Sequence, residues 1–343
     1  MQPTTIGIDI AKSVFQLHGV DASGIVVLSR RLGRGQMIKV FAKLSPCLVG
    51  MEACATAHHW ARELNRLGHT VRLMPPSYVK AYVKRSKNDA ADAAAICEAV
   101  TRPSMRFVAV KSVDQQAALM LHRARDLLIR QRTQLANALR AHLAELGLVA
   151  PKGREGLAEL VDLVTEGSAE GGLPPTALFT LQTIIDQLSA LKQQLAKLDR
   201  AMHTQHRASE TSRRLESVPG IGVIGASALT ATITDPSVFH SPRDLAAWIG
   251  LVPRQNSSGG KERLGRITKQ GDRYLRRLLI VGASAVIQQA RRHPERNLWL
   301  MRLLARKPAK VAAVALANKM ARIVWVLMTR GGTYRAPALA AAA

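Results

Sequence analysis

Four carboxylates near the start of this sequence have the types and spacing to do chemistry. Asp9 lies in Thr5-Ile-Gly-Ile-Asp-Ile-Ala-Lys12, and Glu52 closes the apolar run Cys47-Leu-Val-Gly-Met-Glu52. Asp89 and Asp92 open Asn88-Asp-Ala-Ala-Asp-Ala-Ala-Ala-Ile96. Each falls at the edge of a predicted element and none in a charged run. Cutting a phosphodiester requires charge neutralised on a pentavalent phosphate and a nucleophile aligned opposite the leaving oxygen, a task suited to carboxylate-held magnesium. Magnesium is hard, takes oxygen ligands and keeps several waters, so three or four Asp and Glu with no required His or Cys form the expected set. Singly, each acid has an ordinary reading: Asp9 ends a strand, Glu52 caps a helix, and Asp89 pairs with Lys87. The combination carries the chemical reading. His58 and His59 follow Glu52 closely, but helical surface histidines are common.

A second candidate site is the polar, glycine-bearing loop Pro253-Arg-Gln-Asn-Ser-Ser-Gly-Gly-Lys261. Serine is a poor nucleophile at neutral pH without a base or metal. The loop itself supplies only cations, Arg254, Lys261 and Arg263, so its own residues make Ser257 and Ser258 turn residues. Further on, Ser217-Val-Pro-Gly-Ile-Gly222 resembles the turn of a helix-hairpin-helix, in which Gly220 and Gly222 would present backbone amides to a phosphate. The alternative is a glycine-rich turn between packed helices.

The elements that must hold these residues follow from periodicity. Residues 4–33 read as three short strands, with a turn at Asp21-Ala-Ser-Gly24. A helical segment over Met37–Leu44 follows, then a strand ending at Glu52, a helix over His58–Leu67, and a strand His69–Met74 stopped by Pro75-Pro76. This β-β-β-α-β-α-β-α order is that of a ribonuclease H-like domain. There the first and fourth strands are neighbours, which would bring Asp9 beside Glu52. Asp89 and Asp92, three apart, share a helix face, although acids at a helix N-terminus also suit its dipole.

Beyond this domain a long helix is predicted from Asp114 to Leu146, with Leu121, Leu128 and Leu135 at heptad steps. A flexible link over Pro151–Pro175, with a loose middle at Glu166-Gly-Ser-Ala-Glu-Gly-Gly172, leads to a second helix carrying Leu181, Ile184, Leu188, Leu191, Leu195 and Leu198. These spacings predict a coiled-coil seam and motivate a homo-oligomer. From Leu215 onward the pattern is mostly helical. The Ala-rich end, Ala338–Ala343, reads as frayed.

A chain of 343 residues with 47% hydrophobic content can build two or three cores. Its 49 Lys and Arg against 24 Asp and Glu give a net charge of +25, as expected for a phosphate-rich partner. Residues 201–343 carry 23 of the basic and 7 of the acidic side chains, so the C-terminal part is the more electropositive. Charge alone also fits a ribosomal or membrane-surface protein. Three irregularly spaced cysteines, Cys47, Cys54 and Cys97, make neither a disulfide framework nor a CxxC zinc site and read as buried thiols in a reducing cytoplasm. No secretory signal is predicted at the N-terminus. The stretch Val311–Met328 is interrupted by Asn318, Lys319 and Arg322 and reads as a helix packed on protein, with no membrane partner.

Six ordered motifs together resemble a known family: Gly7-Ile-Asp9, Gly50-Met-Glu-Ala53, Lys87-Asn-Asp-Ala-Ala-Asp92, Val218-Pro-Gly-Ile-Gly222, Ser257-Ser-Gly-Gly-Lys-Glu-Arg-Leu-Gly-Arg266 and Lys269-Gln-Gly-Asp-Arg-Tyr-Leu275. The chain is similar over nearly its whole length to insertion-sequence transposases of the IS110 family, and most to the IS1111 subgroup. The resemblance implies an α/β RuvC-like (ribonuclease H-like) Asp-Glu-Asp-Asp domain over 1–112, a coiled-coil segment over 113–205 and an all-α transposase domain with a helix-hairpin-helix and serine loop over 206–335. It implies a recombinase in which Asp9, Glu52, Asp89 and Asp92 bind Mg2+ and a serine of the loop joins DNA covalently, best matched by Ser258 with Ser257 as its neighbour. Arg254, Lys261, Arg263, Arg266, Lys269 and Arg273 are then the expected nucleic-acid contacts beside Gly220 and Gly222. The implied partners are donor and target DNA, a structured noncoding bridge RNA from the same element, and further copies of the chain as a dimer or tetramer. The implied place is the bacterial cytoplasm, at the nucleoid. A Holliday-junction-type resolvase without a covalent intermediate, and a nucleic-acid binder with a vestigial site, are the competing functions.

Overall fold

The computed structural model describes residues 2–83, 88–166, 172–261 and 263–335. Lys87, the centre of the 151–175 link at 167–171, Glu262 and the Ala-rich end lie outside them. The chain divides into two compact units, Met1–Val113 and Asp114–Ala343.

The first unit is a five-stranded sheet in the order β3-β2-β1-β4-β5. Its strands are β1 (Thr5–Ile10), β2 (Val14–Val20), β3 (Val26–Gly33), β4 (Leu48–Glu52) and β5 (Thr70–Met74). The first three form an antiparallel meander, and β1 pairs in parallel with β4, which pairs in parallel with β5. Helices α1 (Met37–Phe41), α2 (Ala57–Arg66), α3 (Pro76–Val79) and α4 (Asp89–Val100) complete it. Ile6, Ile8, Phe15, Leu17, Val49 and Met51 pack with Trp60 and Leu64 of α2 into the core on one face of the sheet. The opposite face carries α4.

Glycine decides how close α4 comes. A Cβ on Gly7 would lie 2.2 Å from Ala93 O and 2.3 Å from Cys97 N, and one on Gly50 would lie 2.8 Å from Val100 Cβ. Only a strand without side chains at these two points lets the Ala-rich helix rest on the backbone.

The second unit is helical. Helices α5 (Val113–Glu145) and α7 (Pro175–Ala208) form an antiparallel pair. Arg125 of α5 meets Asp199 of α7 at 2.6 Å, and towards the other end Leu139 and Leu143 cluster with Leu181 and Ile185. Of the expected seam on α7, Leu181 and Leu195 are buried, and Met202 continues their seven-residue step; on α5, Leu121, Leu128 and Leu135 are half-buried. The link expected to be loose contains helix α6 (Arg154–Thr165), whose Leu160 and Val164 join the same cluster. An apolar i, i+4 pair between Gly- and Pro-bearing flanks is enough to fold it once α5 and α7 offer a surface.

Helices α8 (Glu210–Glu216), α9 (Val223–Thr232), α10 (Pro242–Trp248), α11 (Arg273–Arg292), α12 (Leu298–Arg306) and α13 (Ala309–Arg330) follow, with a two-stranded ribbon, β6 (Pro253–Gln255) and β7 (Leu264–Ile267), between α10 and α11. Within this unit His122 of α5 bonds to α9 and α11, and His206 at the end of α7 bonds to α8. The apolar stretch 311–328 lies in α13, which is long and apolar enough to cross a membrane but buries Ala312, Leu316, Ala317, Met320, Ala321 and Val324 in the core shared with α10 and α11.

Candidate active site and nucleic-acid interface

In the first unit the carboxylates share one edge of the sheet. Ile8 of β1 is registered against Met51 of β4, so Asp9 and Glu52 are the next residues of two neighbouring parallel strands. Side chains alternate along a strand, so Asp9 faces as Gly7 does and Glu52 as Gly50 does: towards α4. That helix runs antiparallel to β1, because Cys97 lies by Thr5 and Ala93 lies by Gly7. Asp89, Ala93 and Cys97 form one i, i+4 stripe. One helical turn of about 5.4 Å nearly matches two strand residues of about 6.6 Å, so Asp89 extends the sheet-facing stripe towards Asp9. Asp92 heads the adjoining stripe that continues through Ile96 to Val100, over β4.

Helix α4 begins where it does because Asn88 caps it, its side chain accepting from Ala91 N at 2.8 Å. Asp9, Glu52 and Asp92 are half-buried and Asp89 is exposed. Among the described residues no three His, Cys, Asp or Glu side chains stand close enough together to hold a metal ion. Asp9 and Glu52 thus stand at the ends of neighbouring strands, and Asp89 and Asp92 lie in the first turn of the helix packed on that face. The donor chemistry suits a hard divalent cation: four carboxylates with no thiolate. Cys47 and Cys97 are buried, and burial raises the Cys47 thiol to about 11 and also raises Cys97, which keeps both as neutral thiols. His58 turns its ring nitrogens to Lys111, at 3.2 Å from the backbone N and 3.5 Å from Nζ, and His59 packs edge-on against Trp60.

In the second unit the serines lie on a β-hairpin rather than an irregular loop. Gly259 and Gly260 both have positive φ, 57° and 77°, and Lys261 N donates to Ser258 O at 3.1 Å. Two positive φ angles in a two-residue connection match the right-handed twist of the paired strands. Ser258 thus leads into the turn at the exposed tip. Ser257 faces back into the ribbon, where its Oγ accepts from Arg263 N at 3.2 Å. Arg254, Lys261, Arg263, Arg266, Lys269 and Arg273 are all exposed on or beside the ribbon, giving it a cationic surface.

The glycines of the Ser217–Gly222 turn differ in role. Gly220, at φ +88°, touches α11: a Cβ there would lie 2.8 Å from Gly282 O, so it serves close packing. Gly222 is exposed, with open space around it, at the start of α9. A Ser212–His206–Glu216 chain, at 2.8 and 2.9 Å, has the order of a hydrolytic triad. Ser212 is only 1% exposed, so this chain ties α7 to α8 and offers no nucleophile.

Sequence reasoning missed two sets of residues. Gly7 and Gly50 seat α4; the signal was a glycine two residues before each strand acid. Arg276 is buried and donates through Nη1 to Ile249 O at 2.8 Å and Gln270 O at 2.7 Å, the two ends of the serine ribbon. Nothing in Arg273-Tyr-Leu-Arg-Arg-Leu278 distinguishes it from its exposed neighbours.

Comparison with known proteins agrees with both halves. A family model described as Transposase, of the IS110 Asp-Glu-Asp-Asp type, matches residues 6–147, and one described as Transposase IS116/IS110/IS902 family matches residues 212–298. The chain is 50% identical to a Pseudomonas aeruginosa protein called a "Probable family 20 transposase", over 98% of this chain and 99% of that one. It is 41% identical to the transposase for insertion sequence element IS1111A of Coxiella burnetii, over 96% and 91%. It is also 25% identical to the pilin gene-inverting protein of Moraxella bovis, over 79% and 75%.

Proposed function

The chain belongs to the IS110 family of insertion-sequence transposases and is a DNA transposase, and from that premise we propose that it breaks and rejoins DNA strands with an acidic tetrad and a serine nucleophile. The observation that carries the proposal is the adjacency of Asp9 and Glu52 at the ends of β1 and β4, on the face over which α4, the helix that begins at Asp89, is packed. Asp9, Glu52, Asp89 and Asp92 would hold Mg2+, which when bound would neutralise charge on the scissile phosphate.

Ser258 Oγ forms a bond to that phosphorus as the P–O bond to the leaving sugar breaks. The serine proton is lost and the departing sugar oxygen is protonated, so charge is conserved. A sugar hydroxyl of the recipient strand then attacks the phosphoserine, forming the new phosphodiester and returning Ser258 to its hydroxyl. The tip position of Ser258, against the bonded Ser257, favours it for this role. Energy of the broken linkage is kept in the phosphoserine, so rejoining needs no separate energy source. The name of the Moraxella relative, which inverts a gene, agrees with rejoining rather than hydrolysis alone.

Arg254, Lys261, Arg263, Arg266, Lys269 and Arg273 contact the DNA backbone, and the turn at Gly220–Gly222 adds amides at Gly222. The net charge of +25 supports a nucleic-acid assembly that includes a guide RNA from the same element. The α5–α7 pair acts as a coiled-coil arm joining copies of the chain, so that the serine of one meets the tetrad of another. This arrangement works in the cytoplasm at the nucleoid.

The test is covalent trapping. The full chain is incubated with Mg2+, RNA transcribed from the element's noncoding flank, and labelled duplex carrying the element ends. An adduct mapped by mass spectrometry to Ser258 is expected; nicked product with no adduct would make the enzyme a resolvase.

A further inference from the structure

The ribbon that carries Ser258 is short, exposed and built from strands of three and four residues, so it needs something other than its own pairing to fix its pitch. Its base is unusually closed. Val252 O accepts from Thr268 N at 2.9 Å and Gly250 O from Lys269 N at 3.2 Å. A Cβ on Gly250 would lie 2.3 Å from Gln270 O, and one on Gly271 would lie 1.8 Å from Trp248 O. Lys269 is held at φ +57°, the one described residue other than glycine with positive φ, a conformation that persists only where surroundings enforce it. Beneath this neck, Arg276 donates to the carbonyl of Ile249, where the chain leaves α10 for the ribbon, and to that of Gln270, between β7 and α11.

The same turn of α11 is tied elsewhere. Asp272 caps the helix, accepting from Tyr274 N and Leu275 N at 2.7 and 2.9 Å. The Tyr274 hydroxyl meets His122 Nδ1 of α5 at 3.1 Å, and Arg277 pairs with Asp126 of α5. One helical turn therefore holds the ribbon on one side and α5 on the other.

We propose that Arg276 is the positioning residue for the serine: its guanidinium clamps both ends of the ribbon to α11, and through Tyr274 and Arg277 the ribbon takes its orientation from α5. Both bonds leave the single nitrogen Nη1, so a lysine at 276 keeps the charge and enough donors but ends in a compact, strongly hydrated ammonium on a flexible stem that holds the two carbonyls less rigidly. The proposal rests on the serine reading above for its catalytic consequence, while the clamp itself is open to separate measurement.

Arg276→Met, Arg276→Lys and Tyr274→Phe are compared with the wild-type chain by amide hydrogen exchange, by affinity for the element-end duplex, and by the rate of adduct formation at saturating duplex. Arg276→Met is expected to speed exchange of the Thr268 and Lys269 amides at least tenfold and to slow adduct formation at least tenfold, with affinity within threefold. Arg276→Lys should restore part of both, and Tyr274→Phe should show a smaller loss of the same pattern. Unchanged exchange at the neck in Arg276→Lys and Tyr274→Phe would overturn the clamp, as would wild-type adduct formation in Arg276→Met. Should Arg276→Met not fold, the Lys and Phe variants decide the matter. If Ser258→Ala still forms the adduct, the serine reading fails, and the exchange result still tests the clamp.

Discussion

Asp9 and Glu52 are forty-three positions apart in sequence, yet each follows by one residue the registered pair Ile8–Met51 of two parallel strands. The adjacency has a simple cause. Parallel strands point the same way, so acids placed one residue past a registered pair end up side by side on the same face. Gly7 and Gly50, two residues earlier, are registered too and let α4 lie against that face.

The tetrad account makes each acid indispensable for cleavage. Asp9→Asn, Glu52→Gln or Asp92→Asn should lower the cleavage rate at least about a thousandfold, roughly 4 kcal/mol of transition-state stabilisation. Filter binding should find duplex affinity within a few fold of wild type. Chelation with EDTA should do the same and Mg2+ should restore activity. Full cleavage by any of these variants would remove that acid from the site.

The seat of α4 is tested by adding a side chain. Gly7→Val puts Cβ against the backbone of Ala93 and Cys97, which cannot move without shifting the helix. Overpacking of this kind costs about 3 kcal/mol or more, read as a lowered midpoint in urea unfolding. Gly24→Ala, in a turn with open space but φ +84°, should cost less, about 1 kcal/mol.

Stability should fall in mild acid through His122. Burial, with the charge of Arg125 beside it, lowers this imidazole from 6.5 to about 4. A base with a depressed folded pKa resists the proton that the unfolded chain accepts. Its contribution is therefore complete above pH 6.5 and is lost as pH falls from there to about 4. The loss is on the order of 3 kcal/mol at most, and His122→Gln should flatten that part of the stability profile. A variant with the wild-type slope would assign the acid sensitivity elsewhere.

The cationic ribbon should bind through phosphate. Arg263→Ala or Arg266→Ala should weaken duplex affinity equally across sequences and reduce the slope of log affinity against log salt by about 0.9 each. An unaltered slope would take that arginine off the backbone.

Much of this organisation is legible in the sequence. The alternating runs before residue 75 fix the number and order of strands, and the order implies that β1 adjoins β4. The seven-residue leucine step marks α5 and α7. Other features had no such signal. Strands β6 and β7 are exposed on both faces, so no apolar alternation announces them, and only Gly259-Gly260 hints at a hairpin. Helix α6 is stabilised by neighbours distant in sequence. Nor does the sequence mark His122 and His206 as buried hydrogen-bonding partners of α8, α9 and α11. The burial of Arg276 is likewise a tertiary fact: among clustered arginines, only the fold selects the one turned inward.

The central claim is that Asp9, Glu52, Asp89 and Asp92 gather around one divalent-cation centre. Anomalous diffraction from crystals of the full chain with element-end duplex and Mn2+ tests it most directly. The account expects manganese within about 2.2 Å of carboxylate oxygens from Asp9 and Glu52 and at least one of Asp89 and Asp92. Manganese bound elsewhere, with the four carboxylates still apart in the presence of DNA, would contradict it.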